Sequence, residues 1–565
     1  MVSRASPHSQ TNALADEAWI TRLTPPLSTA HTGPLFGLSF AVKDNIDAAQ
    51  VPTTAACPEF AYTPPEHAEV VRKLLAAGAS LHGKTNLDQF ACGLNGTRSP
   101  YGAVPNAFNP LYVSGGSSSG SAYVVATGQV DFALGTDTAG SGRVPAGLNN
   151  IVGLKPTRGL ISARGVVPAA QNVDCVSILA RTVATAAQVL RACMGPDAGD
   201  PFSRQLTLNT QSLPAQFKFG VPQQLEFFGD VQAKQAFDAS ITQMCALGGE
   251  PVAIDMTPHL QAAAMLYESA LVSQRYVAIQ AFFDAHPEQV MEPVRSIIGK
   301  GSQYSAADYC TAEIHMLGLA QVAHRMWASI DVLLVPTAPT HYTIAQMQAD
   351  PVVLNRNLGH YTNFVNLFDY AALSVPSAMR ADGLPFGITL IGPACSDWQL
   401  ADLGQRYHHA TGLTLGATGE SLPEMKAIVG LQAEPTVQVA VVGAHLSGMP
   451  LNSQLTERGA RLLHATTTSA DYHLFALPNT TPPKPGLQRV APGQGQFIAV
   501  EVWEMPMRHY GSFVALIPEP LGIGTLRLAD GTTVQGFVCE TQALIGAQDI
   551  SHFGGWRAYL ASLQP

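Results

Sequence analysis

Through residue 415 the chain alternates short β-rich runs with alanine-rich helical stretches, and that alternation is its strongest constraint on fold. The run Leu38-Ser39-Phe40-Ala41-Val42 is followed by apolar residues at helical spacing from His67 to Ala77, then by Ser80-Leu81-His82-Gly83 leading into Asn86. Strands separated by helices in this way pair into a sheet with the helices laid over it, so the pattern predicts an α/β sandwich covered on both faces. Later strand candidates are Val332-Leu333-Leu334-Val335, stopped by Pro336, and Phe386-Gly387-Ile388-Thr389-Leu390-Ile391. Both end in loops able to border a site. Charged residues make up 13% of the 565 residues and hydrophobic residues 46%. That charged share is about half the roughly 25% of an ordinary soluble domain, which calls for a large buried core.

From Gly416 to Pro435 the text turns to glycine, glutamate, proline and lysine with weak periodicity, which predicts a linker over 416–435 after a first domain of 1–415. A second domain, 436–565, starts with Val437-Gln438-Val439-Ala440-Val441-Val442-Gly443. It continues with the β-like runs Phe497 to Trp503 and Thr525 to Leu528, followed by the hairpin signal Asp530-Gly531. A small, mainly β domain fits, with the proline-rich stretch Pro478 to Pro485 as a surface connection.

The net charge of -10 gives no basic field to recruit nucleic acid or an anionic membrane, so neither is an expected partner. The start from Met1 to Gln10 has one basic residue and no apolar block of signal-peptide length. No uncharged apolar run approaches the ~18 residues of a spanning helix. A cytoplasmic location is expected. The eight cysteines show no C-x-x-C pair and no clustering with histidines, so they read as small apolar residues and no metal site is expected.

Three segments carry chemistry. Gly115-Gly116-Ser117-Ser118-Ser119-Gly120-Ser121 alone would read as a flexible loop, but it runs at once into the helix-capable Ala122 to Thr127. A glycine-rich turn into a helix brings backbone close to a ligand. It lacks the terminal lysine of a phosphate-binding G-x-x-x-x-G-K-[ST] loop. Gly135-Thr136-Asp137-Thr138-Ala139-Gly140-Ser141-Gly142-Arg143 follows a strand-like run and sets successive backbone amides where they can converge on an oxyanion. Asp137 and Arg143 read as a frame for that loop. Lys43 closes the run from Leu38 to Val42; most lysines at a strand end are solvated, and its apolar neighbours permit burial without requiring it. A lysine serves as a base only if burial holds it neutral, since its free pKa is near 10.4.

Together these segments resemble the amidase signature family over about residues 34 to 415. The family's nucleophile loop is close to G-[ST]-D-T-x-G-S-x-R, and its nucleophile lies 24 residues after a serine on a cis peptide bond, as Ser141 follows Ser117. The resemblance implies Ser141 as nucleophile, Ser117 as relay, Lys43 as base, and the amides of Thr138, Ala139, Gly140 and Ser141 as an oxyanion hole. Ala139 stands where glycine is frequent and Gly142 where isoleucine often sits. No metal or organic cofactor is implied.

Within the family, Gly83 to Phe90, Leu94 to Arg98 and Thr138 to Pro145 resemble the allophanate hydrolases, as do Val442 to Leu446 and Glu519 to Gly524 in the second domain. That implies a small anionic amide substrate, allophanate, cleaved to ammonia and N-carboxycarbamate, with Tyr267 and Arg275 binding its carboxylate. Ser269 replaces a glycine often seen there. The segment before Pro34 is shorter than related enzymes usually carry. The resemblance also implies a homodimer, possible association with other enzymes of the same catabolic pathway, and a second domain similar in fold to γ-glutamylcyclotransferases. A role in decarboxylating the first product has been proposed for such domains, with His445 the first candidate here and Glu540 the second. Two other readings stand: a different amidase of the same mechanism, such as the glutaminase component of an amidotransferase, and a non-catalytic assembly scaffold.

Overall fold

A computed structural model describes residues 14–432, 435–478 and 480–563. The stretch from Met1 to Gln10 lies outside these residues. By its internal contacts the chain divides into Met1–Gln432 and Ala433–Pro565.

The first unit is built on one eleven-stranded sheet. In chain order its strands are β1 (Trp19–Leu27), β2 (Ser39–Lys43), β3 (Ser80–Thr85), β4 (Phe132–Asp137), β5 (Val152–Lys155) and β6 (Cys175–Ala180). They continue with β7 (Phe217–Pro222), β8 (Gly249–Ile254), β9 (Val332–Pro336), β10 (Ala371–Met379) and β11 (Pro385–Gly392). The spatial order is β1-β3-β2-β4-β6-β5-β10-β11-β9-β7-β8. The sheet is mixed: β2 runs parallel to β3 and β4, whereas β4 pairs antiparallel with β6 and β10 with β11. Strands β4, β5, β6, β9 and β11 are buried at every position, which follows from helices lying on both faces. The helix Glu69–Ala76 shows how those helices attach. Its Val70, Val71, Leu74 and Leu75 form one buried face toward the sheet, and Arg72 points out.

Strand β1 has no counterpart in the sequence reading. It contains Pro25 and Pro26 and a cis Thr24-Pro25 bond, features that argue against a central strand, and it lies at the sheet edge against β3 alone. An edge strand tolerates proline because one row of its backbone amides has no ladder partner.

The division at 432/433 falls inside the expected 416–435 linker. Its glycines and prolines end regular structure without freeing the chain, because Ile428 is buried in the first unit's core and Gly430 lies against the Trp398 ring. Gln432 then donates its amide to the Thr210 carbonyl.

The second unit holds a five-stranded sheet with strands β12 (Thr436–Val441), β13 (Arg461–Thr467), β16 (Ala499–Pro506), β17 (Leu521–Arg527) and β18 (Thr533–Cys539). A smaller sheet contains β14 (Tyr472–Ala476), β15 (Pro485–Arg489) and β19 (Gln548–Asp549). Strands β17 and β18 form the hairpin that Asp530-Gly531 announces, with Gly531 at φ 87°. Val439, Val441, Leu474, Val500, Trp503 and Trp556 fill a separate core.

Candidate active site

Because β2, β3 and β4 are parallel, their carboxyl ends open on one edge of the sheet, where α/β proteins collect functional loops. Lys43 closes β2 and is fully buried. Its Nζ lies 2.7 Å from Ser117 Oγ and 2.6 Å from Thr136 Oγ1, and among the described residues no carboxylate pairs with it. Burial lowers its pKa to about 7, with Arg275 adding to that shift and the carboxylates of Asp88, Asp174 and Asp137 opposing it. Near neutrality a large share of Lys43 is therefore the free amine.

Ser117 follows a cis Gly116-Ser117 bond. The helix Ser119–Ala126 that carries the segment onward is buried along its whole length. Small residues make this possible: Gly120 packs against the Ala18 carbonyl and the Asn86 backbone, where a Cβ would collide. The serine segment and the 138–142 loop are tied directly, since the Ser118 amide donates to the Ser141 carbonyl at 3.2 Å.

Ser141 is buried at the turn after β4, and its Oγ donates to the Gly93 carbonyl at 3.3 Å rather than to Ser117. Among the described residues, the amides of Thr138, Ala139 and Ser141 have no protein acceptor. The expected fourth amide is already engaged: Gly140 donates to Asp137 Oδ1 at 2.9 Å, which takes it out of the free set. Gly140 sits at φ 129°, with its α-carbon facing the Thr362 side chain, so no other residue fits there without displacement.

The loop is held by a buried Asp137-Arg143 fork. Arg143 Nε donates to Oδ2 at 3.0 Å and Nη2 to Oδ1 at 2.9 Å, while the amides of Gly142 and Arg143 also reach Oδ2. Asn366 completes the frame, accepting from Arg143 and donating to the Asp137 carbonyl at 2.6 Å. The glycine at 142 has a local reason, because Ser177 occupies the space a larger side chain would take.

Arg275, in the helix Ser273–Ala278, is 3% exposed. Its Nη2 donates to Tyr267 Oη at 3.2 Å, and its guanidinium carbon lies 4.9 Å from the centre of the Tyr267 ring. Among the described residues, Nε and Nη1 have no hydrogen-bond partner and no carboxylate forms an ion pair with the guanidinium. A buried cation without a counter-ion is costly unless something else supplies the charge. The Arg275 charge adds to the lowering of the Lys43 pKa. Ser269 plays a structural part, since its Oγ donates to the Met265 carbonyl at 2.6 Å and accepts from the Leu271 amide. Tyr267 also lines a cavity of about 690 Å³, together with Arg98, Lys300, Asn355, Arg356 and Asn363.

Several participants carry no assigned role in the sequence motifs, although Thr136, Asp88 and Lys84 lie inside those segments. Thr136 is the second acceptor for Lys43, and Gly93 contributes only a carbonyl. Asp88 gathers the amides of Asn95, Gly96 and Arg98, which fixes the loop bearing Gly93. On β3, the strand beside β2, a second buried lysine, Lys84, pairs with Asp44 at 3.2 Å.

In the second unit His445 follows β12 and lines a cavity of about 180 Å³ with Gln454, Lys484, Leu521 and Phe537. Its Nε2 is 2.9 Å from Gln454 Oε1, and its ring stacks on Phe537 with centroids 5.0 Å apart. Burial lowers its pKa. Glu540 is exposed and outside that lining.

These features define an α/β chain built round a buried lysine-and-serine site, and residues 8–401 match the amidase family model; the chain belongs to the amidase family. Residues 437–561 match the allophanate hydrolase C-terminal domain. Over 98% of its length the chain is similar to a solved allophanate hydrolase of Kluyveromyces lactis, with 41% identity, a TM-score of 0.78 and 95% of that chain covered. It is 44% identical to the urea amidolyase of Saccharomyces cerevisiae over 98% of its own length. The chain spans only 32% of that relative, about a third of its length. A glutamyl-tRNA(Gln) amidotransferase component of Halobacterium salinarum is 34% identical but matches 66% of this chain, covering 95% of its own. Among the described residues no helix is long and apolar enough to cross a membrane.

Proposed function

We propose that this chain hydrolyses the terminal amide of allophanate, the carboxylate of urea, with Ser141 as nucleophile, Ser117 as relay and Lys43 as base. The observation that carries the substrate is Arg275: a buried guanidinium with two unpartnered nitrogens and no carboxylate beside it suits a small anion, whereas an apolar amide would leave it uncompensated. The names of the relatives point the same way.

In the forward step Ser117 passes its proton to neutral Lys43 and takes one from Ser141 as Ser141 Oγ bonds to the carbonyl carbon. Ser141 must first leave the Gly93 carbonyl and turn toward Ser117. The carbonyl electrons move to oxygen, which the free amides of Thr138, Ala139 and Ser141 receive in a buried setting where such donors are strong. As the tetrahedral species collapses, the C–N bond breaks and the departing nitrogen takes a proton from the relay, leaving as ammonia. Water then attacks the Ser141 ester by the same route and releases N-carboxycarbamate, which breaks down to carbon dioxide and a second ammonia. His445 and its cavity are the proposed place where the second unit acts on that product. A cytoplasmic homodimer that works beside other enzymes of the same catabolic sequence completes the proposal.

Ammonia release measured on allophanate, biuret, malonamate, glutamine and an aromatic acetamide tests the assignment, with Arg275→Ala as control. Allophanate should be preferred, and the variant should lose about 10²-fold in kcat/KM on it, as loss of a bidentate charged clamp does. Comparable turnover of all five, indifferent to Arg275, would sink the substrate and leave the amidase reaction standing. Preference for glutamine would favour the glutaminase reading that the Halobacterium relative supports.

A further inference from the structure

Resting on the reading of Ser141 as nucleophile, we infer that the Gly93 carbonyl receives the bridging N–H of the urea substrate, and that Asn355 and Arg98 are positioning residues that hold it there. Ser141 Oγ rests on the Gly93 carbonyl, the Ser118 amide ties the relay segment to the Ser141 carbonyl, and the amides of Thr138, Ala139 and Ser141 in the same turn are unengaged. A trigonal urea carbon presents three substituents. Its oxygen belongs at the amides, and its leaving nitrogen belongs at the relay, which must protonate it. The bridging nitrogen is left for Gly93, whose carbonyl is vacated when Ser141 turns to Ser117. Arg98 and Asn355, which flank the Gly93 segment, line the same cavity as Tyr267, so the carboxylate beyond the bridging nitrogen has its clamp on that side.

The residues on either side of Gly93 are tied by buried side chains. Asn355 Oδ1 accepts the Leu94 amide at 2.7 Å and Asn95 Nδ2 at 2.8 Å. Arg98 Nη1 donates to the Cys92 carbonyl at 2.7 Å, and its Nη2 donates to the Pro351 carbonyl. Arg98 is 2% and Asn355 6% exposed, and both border the cavity that Tyr267 lines. A Cβ at position 93 would collide with the Asp88 carboxylate, so the carbonyl's own residue is fixed as well. A hydrogen-bond acceptor held this firmly discriminates: a substrate with a methylene in place of the bridging N–H leaves it unpaired.

Malonamate has that methylene and keeps both the amide and the carboxylate. The experiment measures kcat/KM for allophanate and malonamate with the wild type, Asn355→Leu and Asn355→Asp. Asn355→Leu should lose about tenfold on allophanate and under about threefold on malonamate, a change in preference that general misfolding does not produce. Asn355→Asp keeps both acceptor bonds and should restore kcat on allophanate to within about threefold, any added loss falling on KM through its charge. Parallel losses on both substrates, an unchanged preference, or an Asp variant no better in kcat than Leu overturns the inference. Failure of the underlying reading looks different: Ser141→Ala would then retain turnover of both substrates.

Discussion

Lys43 and His445 are both bases whose protonated forms are disfavoured by burial, yet their neighbours differ in kind. Lys43 touches two hydroxyls, and beyond Ser117 lie Ser141, three unengaged amides and an unmatched guanidinium. His445 touches the side-chain amide of Gln454 and the rings of Phe513 and Phe537. A hydroxyl can give a proton to one partner while taking one from another, whereas an aromatic ring can do neither and a carboxamide oxygen only accepts. Desolvation sets a base's affinity for its proton; only the neighbours decide where that proton can go. The first unit therefore holds the groups that the proposed transfer route needs, and the second holds a base in a small pocket lined by aromatic, aliphatic and a few polar residues.

The largest expected effect breaks the comparison at its strong end. Ser141→Ala should lower ammonia release by roughly 10⁴-fold or more, because removing a nucleophile disables the relay as a unit. A serine-directed phosphonate should label the wild type and fail on this variant. Equal absence of labelling on a folded wild type would favour the scaffold reading. Next in size, Arg275→Lys retains charge but loses the planar fork over Tyr267, so kcat/KM on allophanate should fall about tenfold, chiefly through KM. An unchanged KM would remove the carboxylate from this place.

The pH profile is smaller in amplitude and sharper in meaning. Activity needs neutral Lys43, so kcat/KM should fall about tenfold per unit below its pKa of about 7 and level off above it. Because the folded pKa is depressed from 10.5, the unfolded chain binds more protons between about 7 and 10.5. The cost of burying this amine is thus full below pH 7 and is lifted as pH rises through that window. Lys43→Met should abolish the acid limb with the activity and should remove this contribution to the pH dependence of thermal unfolding. An acid limb centred far from 7 in the wild type would assign the titration to another group.

Much of the first unit is legible in the sequence because its chemistry sits in side chains at fixed spacing. Lys43, Ser117 and Ser141 stand out once taken together, although burial of Lys43 depends on helices that no local text reveals. Gly93 cannot be read, since a carbonyl carries no residue-type signal and its placement is made by Asp88 and Arg98 of its own loop together with the distant Asn355. Gly140 departs from expectation for a related reason: four successive amides look equivalent in sequence, and the Asp137 side chain singles one out. Strand β1 is hidden by its prolines, and the stretch to Gln432 by a composition that resembles a linker while Ile428 anchors it. In the second unit the strands and the Asp530-Gly531 hairpin are readable, but a lone histidine after a strand has many uses.

The smallest expected effect tests the weak end of the comparison. His445→Ala removes a ring stacked on Phe537 and set edge-on to Phe513, so about 1 to 2 kcal/mol of stability should be lost with the aromatic contacts. The first ammonia should still be released at a rate within about twofold of the wild type, because none of the groups at Ser141 belongs to that pocket. Carbon dioxide release is the discriminating readout. If it slows in the variant while the first ammonia does not, the histidine acts on the product, despite lacking a hydroxyl relay of the kind Lys43 has. If both stay unchanged, the His445 ring serves packing alone, and the route through Ser117 is the only proton path the proposed reaction requires.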